Sequence, residues 1–277
     1  MIFSKTPYRI SLFGGGTDFP EWFNENKSFV ISSTIDKYAN ISIRYLPPFF
    51  EKKNRIVWSK IESVDEIKDI QHPVVREVLE FLEISQGVEI HHDADLPART
   101  GLGSSSAFTV GLLNALYALK GKMISKVSLA KQAIHVEQNL LKESVGIQDQ
   151  IEVALGGLNL VEIANDGSFN VSPITIPNSQ ISFFNSHLML FFTGISRFSS
   201  KVAEEQINAI PKKTADLKIM ASFVDEALKI MINKKDILDF GYLLNESWKI
   251  KRSLTSSIST NLIDDIYDSA LKAGAIG

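Results

Sequence analysis

The stretch LPARTGLGSSSA, at Leu96–Ala107, decides how the rest of the sequence is interpreted. It lies between a strand-like run at Gly87–His92 and an apolar run at Ala107–Leu119, which we predict to be a helix. Gly101 and Gly103 allow positive φ and a close approach of the backbone to a ligand. The helix that follows presents unpaired N–H groups and a partial positive charge at its N-terminus. The stretch therefore favours an anion-binding loop, although a glycine turn followed by a serine N-cap would have the same sequence.

Two common nucleotide-binding motifs do not describe this loop. The sequence lacks the Walker A pattern G-x-x-x-x-G-K-[ST]. Ser106 stands at the last position of a G-x-G-x-x-G pattern that begins at Gly101, where the dinucleotide fingerprint needs glycine. A phosphate at this loop would therefore be held by serines and by main-chain N–H groups.

The remaining patterns predict a two-part α+β chain. Predicted strands occupy Ile2–Phe13, Phe29–Ile35, Tyr38–Leu46, Arg55–Ile61, Leu158–Ile163, Phe169–Ile176 and His187–Thr193. Predicted helices begin at Pro73, Ala107, Ser128 and the GIQDQ segment at 146–150, and three more occupy Lys201–Asn233, Asp236–Thr255 and Leu262–Ala273. The pattern breaks within 165–185, so we place the domain boundary between residues 1–175 and 176–277.

Composition narrows the classes of protein to which the chain can belong. It has 277 residues, with 29 Lys plus Arg against 32 Asp plus Glu, and no cysteine. The absence of cysteine excludes disulfides, thiol catalysis and cysteine-ligated zinc, and it fits a reducing cytoplasm. The near-neutral charge argues against a nucleic-acid partner. No signal-peptide h-region and no apolar run of roughly 20 residues is present, so we expect no membrane partner.

Two further segments give the loop a family context. TPYRISLFGGGTDFP, at 6–20, is a strand that carries Arg9 into a triple-glycine loop, and HVEQNLLKESVGIQDQ, at 135–150, joins Glu137 to Asp149. In order and spacing, the three segments resemble the motifs of the GHMP kinase superfamily. The triple glycine before Thr-Asp, the WSKIESVDEI…HPVVREVL stretch at 58–79 and TGISRFSS at 193–200 resemble its D-glycero-D-manno-heptose 7-phosphate kinases.

This resemblance implies both a fold and a reaction. The fold would combine an N-terminal ATP-binding domain, like that of ribosomal protein S5, with a ferredoxin-like C-terminal domain. The reaction would transfer a phosphoryl group from ATP, with magnesium, to the anomeric hydroxyl of the heptose 7-phosphate. A third glycine-rich motif of the superfamily would begin just after AGAIG, at 273–277, so we expect the C-terminal domain to be incomplete.

The resemblance assigns Asp149 and Arg9 to catalysis. The helix dipole favours the charged form of a carboxylate in a first turn, and such a group can accept a hydroxyl proton. A guanidinium can orient that carboxylate and offset the charge on the transferred group. The alternatives are a helix-capping aspartate and a structural ion pair.

The resemblance also assigns the ATP and magnesium contacts. Glu137 and Ser105 would bind magnesium, which needs few protein oxygens besides phosphates and water. The alternative for Glu137 is a solvated position on a helix. The ATP-phosphate contacts would come from Pro97, Gly101, Leu102, Gly103, Ser104, Ser105 and Ser106.

The sugar contacts are predicted from the first glycine loop. Its candidates are Gly15, Gly16, Thr17 and Asp18. The alternative for Asp18 is a turn aspartate that bonds its own backbone. Arg99 and Arg197 are candidates for the 7-phosphate, ahead of Lys142. The adjacent His91 and His92 are interpreted as structural, because neighbouring side chains on a strand point to opposite faces.

Three other functions stay open at this point. A galactokinase- or fucokinase-like sugar 1-kinase is one, although the glutamate and histidine that galactokinases carry in the first glycine loop are missing. A non-catalytic sugar or ATP sensor on the same fold is the second. A decarboxylase of the mevalonate branch is the third, and the G-G-G-T-D loop at 14–18 favours a sugar instead.

Overall fold

The computed structural model describes residues 1–98, 100–195, 199–233 and 236–277. By packing, the chain forms two compact units whose segments alternate along the sequence. Unit 1 comprises Met1–Ile10 and Thr34–Gly156, and unit 2 comprises Ser11–Ser33 and Gly157–Gly277. The domain division between residues 175 and 176 stays a prediction, since packing units and family domains are different partitions of a chain.

The described residues contain seven strands and nine α-helices. The strands are β1 (Ile2–Phe13), β2 (Ser28–Tyr45), β3 (Asn54–Val57), β4 (Ile61–Val64), β5 (Val88–Ala94), β6 (Leu158–Ile163) and β7 (Phe169–Pro173). The helices are α1 (Pro20–Phe23), α2 (Pro73–Phe81), α3 (Ser104–Leu119), α4 (Lys126–Ile134), α5 (Gln148–Leu155), α6 (Asn178–Ser186), α7 (Ser199–Ile232), α8 (Ile237–Leu254) and α9 (Asn261–Lys272). A 3₁₀ turn at Ile67–Asp69 precedes α2, and a π-helical turn at His135–Leu140 continues α4.

Unit 1 packs α3 against a mixed set of strands. β3 and β4 form an antiparallel hairpin, β3 runs parallel to β5, and β5 runs antiparallel to the C-terminal part of β2. Most of α3 is apolar on every side and buried, as expected for a helix inside a core. A Cβ at Gly111 would lie 2.7 Å from Thr6 Oγ1, so glycine allows the helix to approach β1 closely. This approach positions the N-terminus of α3 relative to β1.

Unit 2 has its own apolar core. The first residues of β2 pair antiparallel with β6, and β6 pairs antiparallel with β7. Phe240 of α8 contacts Phe13 and Phe184 edge to face, with ring centroids 5.3 and 5.2 Å apart. Val224 and Ala227 of α7 are buried in the same cluster. Pro211 lies inside α7, and the backbone leaves the helical range at Lys213, where the helix kinks.

The α+β fold class is confirmed, and several predicted elements need correction. The predicted strands Phe29–Ile35 and Tyr38–Leu46 are parts of the single strand β2, and Arg55–Ile61 spans the β3–β4 hairpin. The helix predicted from Ser128 ends at Ile134 and continues as the π-helical turn. Within the described ranges, no helix is long and apolar enough to cross a membrane.

The strand predicted at His187–Thr193 is wrong. This segment is irregular, and its apolar side chains Leu188–Phe192 are exposed, Met189 to 81%. The segment is rich in the apolar residues common in strands. A strand also needs an adjacent strand that pairs with its backbone N–H and C=O groups. No strand of the described residues pairs with this segment.

Candidate active site

Arg9 and Asp149 form a partly buried ion pair within unit 1. Arg9 lies on β1, and Asp149 lies in the first turn of α5, 140 residues further along the chain. The guanidinium donates two hydrogen bonds to Asp149 Oδ1, from Nε at 2.8 Å and from Nη2 at 2.6 Å. The other carboxylate oxygen, Oδ2, faces Gly103, where a Cβ would lie 3.5 Å away. One oxygen of the carboxylate is therefore held, and the other points to the loop.

The glycine-serine loop is joined to the same arginine. Arg9 Nη1 donates to the carbonyl oxygen of Gly101 at 2.9 Å, and the Arg9 main-chain N–H donates to that of Leu102 at 3.1 Å. Gly101 and Gly103 have φ of +78° and +71°, the left-handed region that favours glycine. The fold therefore brings Arg9, Asp149 and the loop together. We expected this from the order and spacing of the three sequence segments.

The N-terminus of α3 is not capped by a serine. Gly103 is its N-cap residue, and the helix begins at Ser104. The alternative of a plain serine-capped turn is therefore wrong. Ser104, Ser105 and Ser106 occupy the first turn instead, where helix N–H groups lack partners within the helix. Pro97 is exposed at the start of the loop. This end of α3 can bind an anion with main-chain N–H groups and hydroxyls.

Glu137 is buried beside the first turn of α3. It lies in the π-helical turn and is 1% exposed, so the alternative of a solvated helix position is wrong. Its Oε2 accepts hydrogen bonds from Ser106 Oγ at 2.9 Å and from Gln150 Nε2 at 2.5 Å. Its Oε1 is buried and accepts no hydrogen bond from the described residues. Burial raises the pKa of Glu137 to about 7, although the hydrogen bonds from Gln150 and Ser106 lower it.

The serine partner of Glu137 differs from the prediction. Ser105 was assigned beside Glu137, but its side chain is exposed and Ser106 makes the contact. In the described part of the chain, no group of three or more His, Asp or Glu side chains is arranged to hold a metal. An unpartnered carboxylate oxygen beside hydroxyls still fits Mg²⁺, which takes its other ligands from phosphates and water.

The first glycine loop belongs to unit 2 and is held by its own side chains. A Cβ at Gly14, where φ is +82°, would lie 2.0 Å from the carbonyl oxygen of Phe29, so only glycine fits. The Thr17 hydroxyl bonds both the Gly14 carbonyl and Ser28 Oγ, each at 2.8 Å. Asp18 Oδ1 accepts from the Gly16 N–H at 3.0 Å. Thr17 and Asp18 are both buried, so this loop carries a buried carboxylate.

The residues predicted to bind the 7-phosphate are only partly covered by the described ranges. Arg99 and Arg197 lie outside the described residues. Lys142 is exposed and has a positive φ of 55°. His91 Nε2 contacts Glu89 Oε1 at 3.1 Å, while the ring of His92 contacts Phe108. The two histidines thus have different partners, which agrees with the structural interpretation.

An aromatic cluster near the loop was missed by sequence reasoning. The His72 ring lies 4.8 Å from both Trp58 and Phe108, and the His92 ring lies 4.7 Å from Phe108. Burial lowers the pKa of His72 to about 4, so its ring is neutral at pH 7. Phe108 follows Ser104 by one helical turn. The sequence held no signal for this cluster, because spacing alone does not show that these rings meet.

The fold agrees with comparisons to known proteins. Residues 70–157 match the family described as GHMP kinases N terminal domain. Residues 70–157 are therefore similar to a GHMP kinase N-terminal domain, and the fold is that of the GHMP kinases. The predicted resemblance to this superfamily is confirmed.

Several individual proteins similar to this chain are named as kinases of sugars or sugar phosphates. The chain is 25% identical to a D-glycero-alpha-D-manno-heptose 7-phosphate kinase of Campylobacter jejuni, over 99% of this chain and 84% of the relative. It is 22% identical to the L-fucokinase/L-fucose-1-P guanylyltransferase of Bacteroides fragilis, over 97% of this chain but only 32% of that longer protein. A crystal structure of a D-glycero-D-manno-heptose 1-phosphate kinase from Bacteroides thetaiotaomicron superimposes with a TM-score of 0.77 at 21% identity, over 91% of this chain and 79% of that one.

Proposed function

We propose that the protein is an ATP-dependent kinase of D-glycero-D-manno-heptose 7-phosphate, acting on the anomeric hydroxyl to give the 1,7-bisphosphate. The observation that carries the proposal is the Arg9 guanidinium, which bonds both Asp149 and the carbonyl of Gly101 in the glycine-serine loop. A candidate base and a candidate phosphate loop are thereby held by one side chain. The similarity to a heptose 7-phosphate kinase supports the choice of sugar.

The proposed reaction is a direct phosphoryl transfer. The anomeric oxygen forms a bond to the γ-phosphorus of ATP, and the bond from that phosphorus to the β–γ bridging oxygen breaks, releasing ADP. The hydroxyl proton passes to Asp149, for which Oδ2 is available because Arg9 binds Oδ1. General-base assistance of this kind contributes about 10²- to 10⁴-fold in rate.

Arg9 has two roles in this proposal. Its Nε and Nη2 hold the carboxylate in one orientation, which positions Oδ2 toward Gly103. Its positive charge, placed beside the loop, offsets negative charge on the phosphoryl group during transfer. The fork geometry of a guanidinium allows both contacts at once, which an ammonium group cannot reproduce.

The nucleotide would lie along the first turn of α3. Main-chain N–H groups and hydroxyls of Ser104–Ser106 bind the phosphates, with the dipole of α3 favouring their charge. We propose that the base packs on the rings of Trp58 and His72, since neutral aromatic rings stack with other ring systems. Glu137 and Ser106 would hold the Mg²⁺, which neutralises charge on the β- and γ-phosphates when bound.

The sugar would be oriented by the first glycine loop. The Asp18 carboxylate is buried, and it accepts hydrogen bonds from sugar hydroxyls in this proposal. A buried acceptor discriminates well, because a sugar without the matching hydroxyl leaves it unpaired. The reaction would take place in the cytoplasm, with the sugar phosphate and ATP as its small-molecule partners.

A sugar 1-kinase for an unphosphorylated sugar is the second candidate. The chain is 22% identical to a bifunctional fucokinase of Bacteroides fragilis and 25% identical to a galactokinase of Pyrococcus furiosus. The test is ADP release with a panel of heptose, mannose, galactose and fucose, each with and without a terminal phosphate. We expect the heptose 7-phosphate to have the highest kcat/KM, and turnover limited to unphosphorylated sugars would favour the second candidate. Binding of ATP without turnover of any sugar would favour a sensor.

A further inference from the structure

One peptide group of the first glycine loop is held at both ends by charged side chains. The Gly15 carbonyl oxygen lies 3.5 Å from Lys251 Nζ, and the Gly16 N–H donates to Asp18 Oδ1 at 3.0 Å. These are the two ends of a single peptide group, so the ammonium and the carboxylate lie at most about 9 Å apart. Both belong to unit 2, although Lys251 follows Gly15 by 236 residues.

Lys251 lies among other cations near the end of its helix. It stands in the run KIKR, at 249–252, near the C-terminal end of α8, where basic residues commonly stabilise a helix through its dipole. Lys249 Nζ pairs with Glu246 at 2.6 Å, and both side chains are about half exposed. Arg252 Nη1 pairs with Asp264 at 3.5 Å. Lys251 is half-buried, and its Nζ lies 3.5 Å from the Gly15 carbonyl oxygen.

A phosphorylated sugar needs a cation at such a loop. The substrate adds a phosphate dianion, and the loop already carries the buried carboxylate of Asp18. Two like charges held close together in a partly buried site repel each other unless a cation is present. A lysine ammonium supplies a compact charge with three donors, and phosphate is a ligand that it binds well.

We propose that Lys251 is a specificity-determining residue that binds the terminal phosphate of a sugar phosphate, while Asp18 binds its hydroxyls. This inference rests on the proposed kinase function and deepens it, because it assigns the phosphate contact to α8. The two charged groups recognise opposite ends of one substrate. A sugar without the phosphate makes only the Asp18 contact.

The test compares two sugars and three variants. Lys251→Gln removes the charge, Lys251→Arg keeps it, and Lys249→Gln removes a neighbouring charge that pairs with Glu246. The sugars are D-glycero-D-manno-heptose and its 7-phosphate, with kcat and KM measured for each. For Lys251→Gln we expect the ratio of kcat/KM, phosphorylated over unphosphorylated sugar, to fall about tenfold, mainly through KM. Lys251→Arg should restore most of the ratio, and Lys249→Gln should leave it unchanged.

A structural role for Lys251 would give a different result. Lys251→Gln could lower kcat/KM by the same factor for both sugars. The side chain would then support the loop without binding the phosphate, and the proposal would be overturned. Turnover by the wild type of unphosphorylated sugars alone would also overturn it, while leaving a sugar kinase.

Calorimetry separates this proposal from the kinase function itself. Each sugar is titrated into the wild type and into Lys251→Gln in the presence of Mg²⁺ and the non-hydrolysable analogue AMPPNP. About tenfold weaker binding of the 7-phosphate by the variant, with no phosphoryl transfer by the wild type, would support Lys251 and reject the kinase. Equal affinity of the two proteins for the 7-phosphate, or no binding of it by either, would reject the role of Lys251.

Discussion

Arg9 donates two hydrogen bonds to a single oxygen of Asp149, while its third nitrogen binds the carbonyl of Gly101. The guanidinium thereby links the N-terminus of α5, which carries Asp149, to the glycine-serine loop, which carries Gly101. A pair of this kind can be structural and functional at once. Substitutions at both residues and at the loop separate these contributions.

Asp149→Asn should fold and lose turnover. The amide keeps the size of the side chain and can still accept a hydrogen bond from Arg9, but it cannot accept a proton. We expect kcat to fall by about 10²- to 10⁴-fold, with little change in ATP affinity. Steady-state ADP release and a thermal melt measure both quantities. Retention of more than a tenth of the wild-type rate, a limit well above that range, would reject the role of base.

Gly103→Ala should damage the site, and Gly101→Ala serves as its matched control. Both glycines have φ above +70°, so each alanine costs about 1 kcal/mol of backbone strain. A Cβ at Gly103 would also lie 3.2 Å from Arg9 Cγ and 3.5 Å from Asp149 Oδ2, while a Cβ at Gly101 meets nothing within 4 Å. We therefore expect similar melting temperatures but a much lower kcat for Gly103→Ala. Equal kcat in the two variants would show that the position of the Arg9–Asp149 pair does not limit turnover.

Arg9→Lys should lower kcat more than it lowers stability. The ammonium keeps the charge, yet it cannot bind Asp149 and the Gly101 carbonyl in the fork geometry of arginine. The pair is only partly buried, with side-chain exposures of 10% and 25%, so the loss of unfolding free energy should be modest, about 1 kcal/mol. Urea denaturation and ADP release provide the comparison. A variant that unfolds readily but turns over normally when folded would indicate a purely structural pair.

Glu137→Gln should weaken magnesium dependence. The substitution keeps the size of the side chain. It removes the negative charge that would attract a cation to the unpartnered Oε1. We expect a higher magnesium concentration at half-maximal ATP turnover. The control is Glu80→Gln, which makes the same change at an exposed glutamate of α2 outside the site. An unchanged magnesium requirement in Glu137→Gln would exclude the ligand role.

The same variant should change the pH dependence of stability. The folded protein holds the Glu137 proton up to about pH 7, whereas an unfolded glutamate releases it near 4.5. Wild-type stability should therefore fall as pH rises between these values and stay reduced above pH 7. Gln has no proton to lose, so Glu137→Gln should gain about 3 kcal/mol relative to wild type between about pH 4 and pH 8. Urea denaturation without nucleotide measures this, and a constant difference across that range would contradict it.

Much of the fold could be predicted where local chemistry decides the structure. Pro73 begins α2 as expected, since proline suits a first helical turn, and Gly156 ends α5. The segment His187–Thr193 could not be predicted, because strand composition says nothing about whether a neighbouring strand is present. The π-helical turn at His135–Leu140 was also missed, since its period differs too little from that of an α-helix to be read from six residues.

The sequence by itself determined the order of the motifs and the chemistry each could perform: glycines where φ is positive, serines in the first turn of a helix, and a carboxylate at the start of another. Only the tertiary structure decided which of these groups meet. It paired Glu137 with Ser106 and not with Ser105, buried that carboxylate, and brought Lys251 to the carbonyl of Gly15. The physical reason is the distance along the chain over which each kind of interaction acts. Backbone conformation depends on nearest neighbours in the chain, whereas burial and hydrogen-bond partners depend on how helices and strands far apart in sequence pack together.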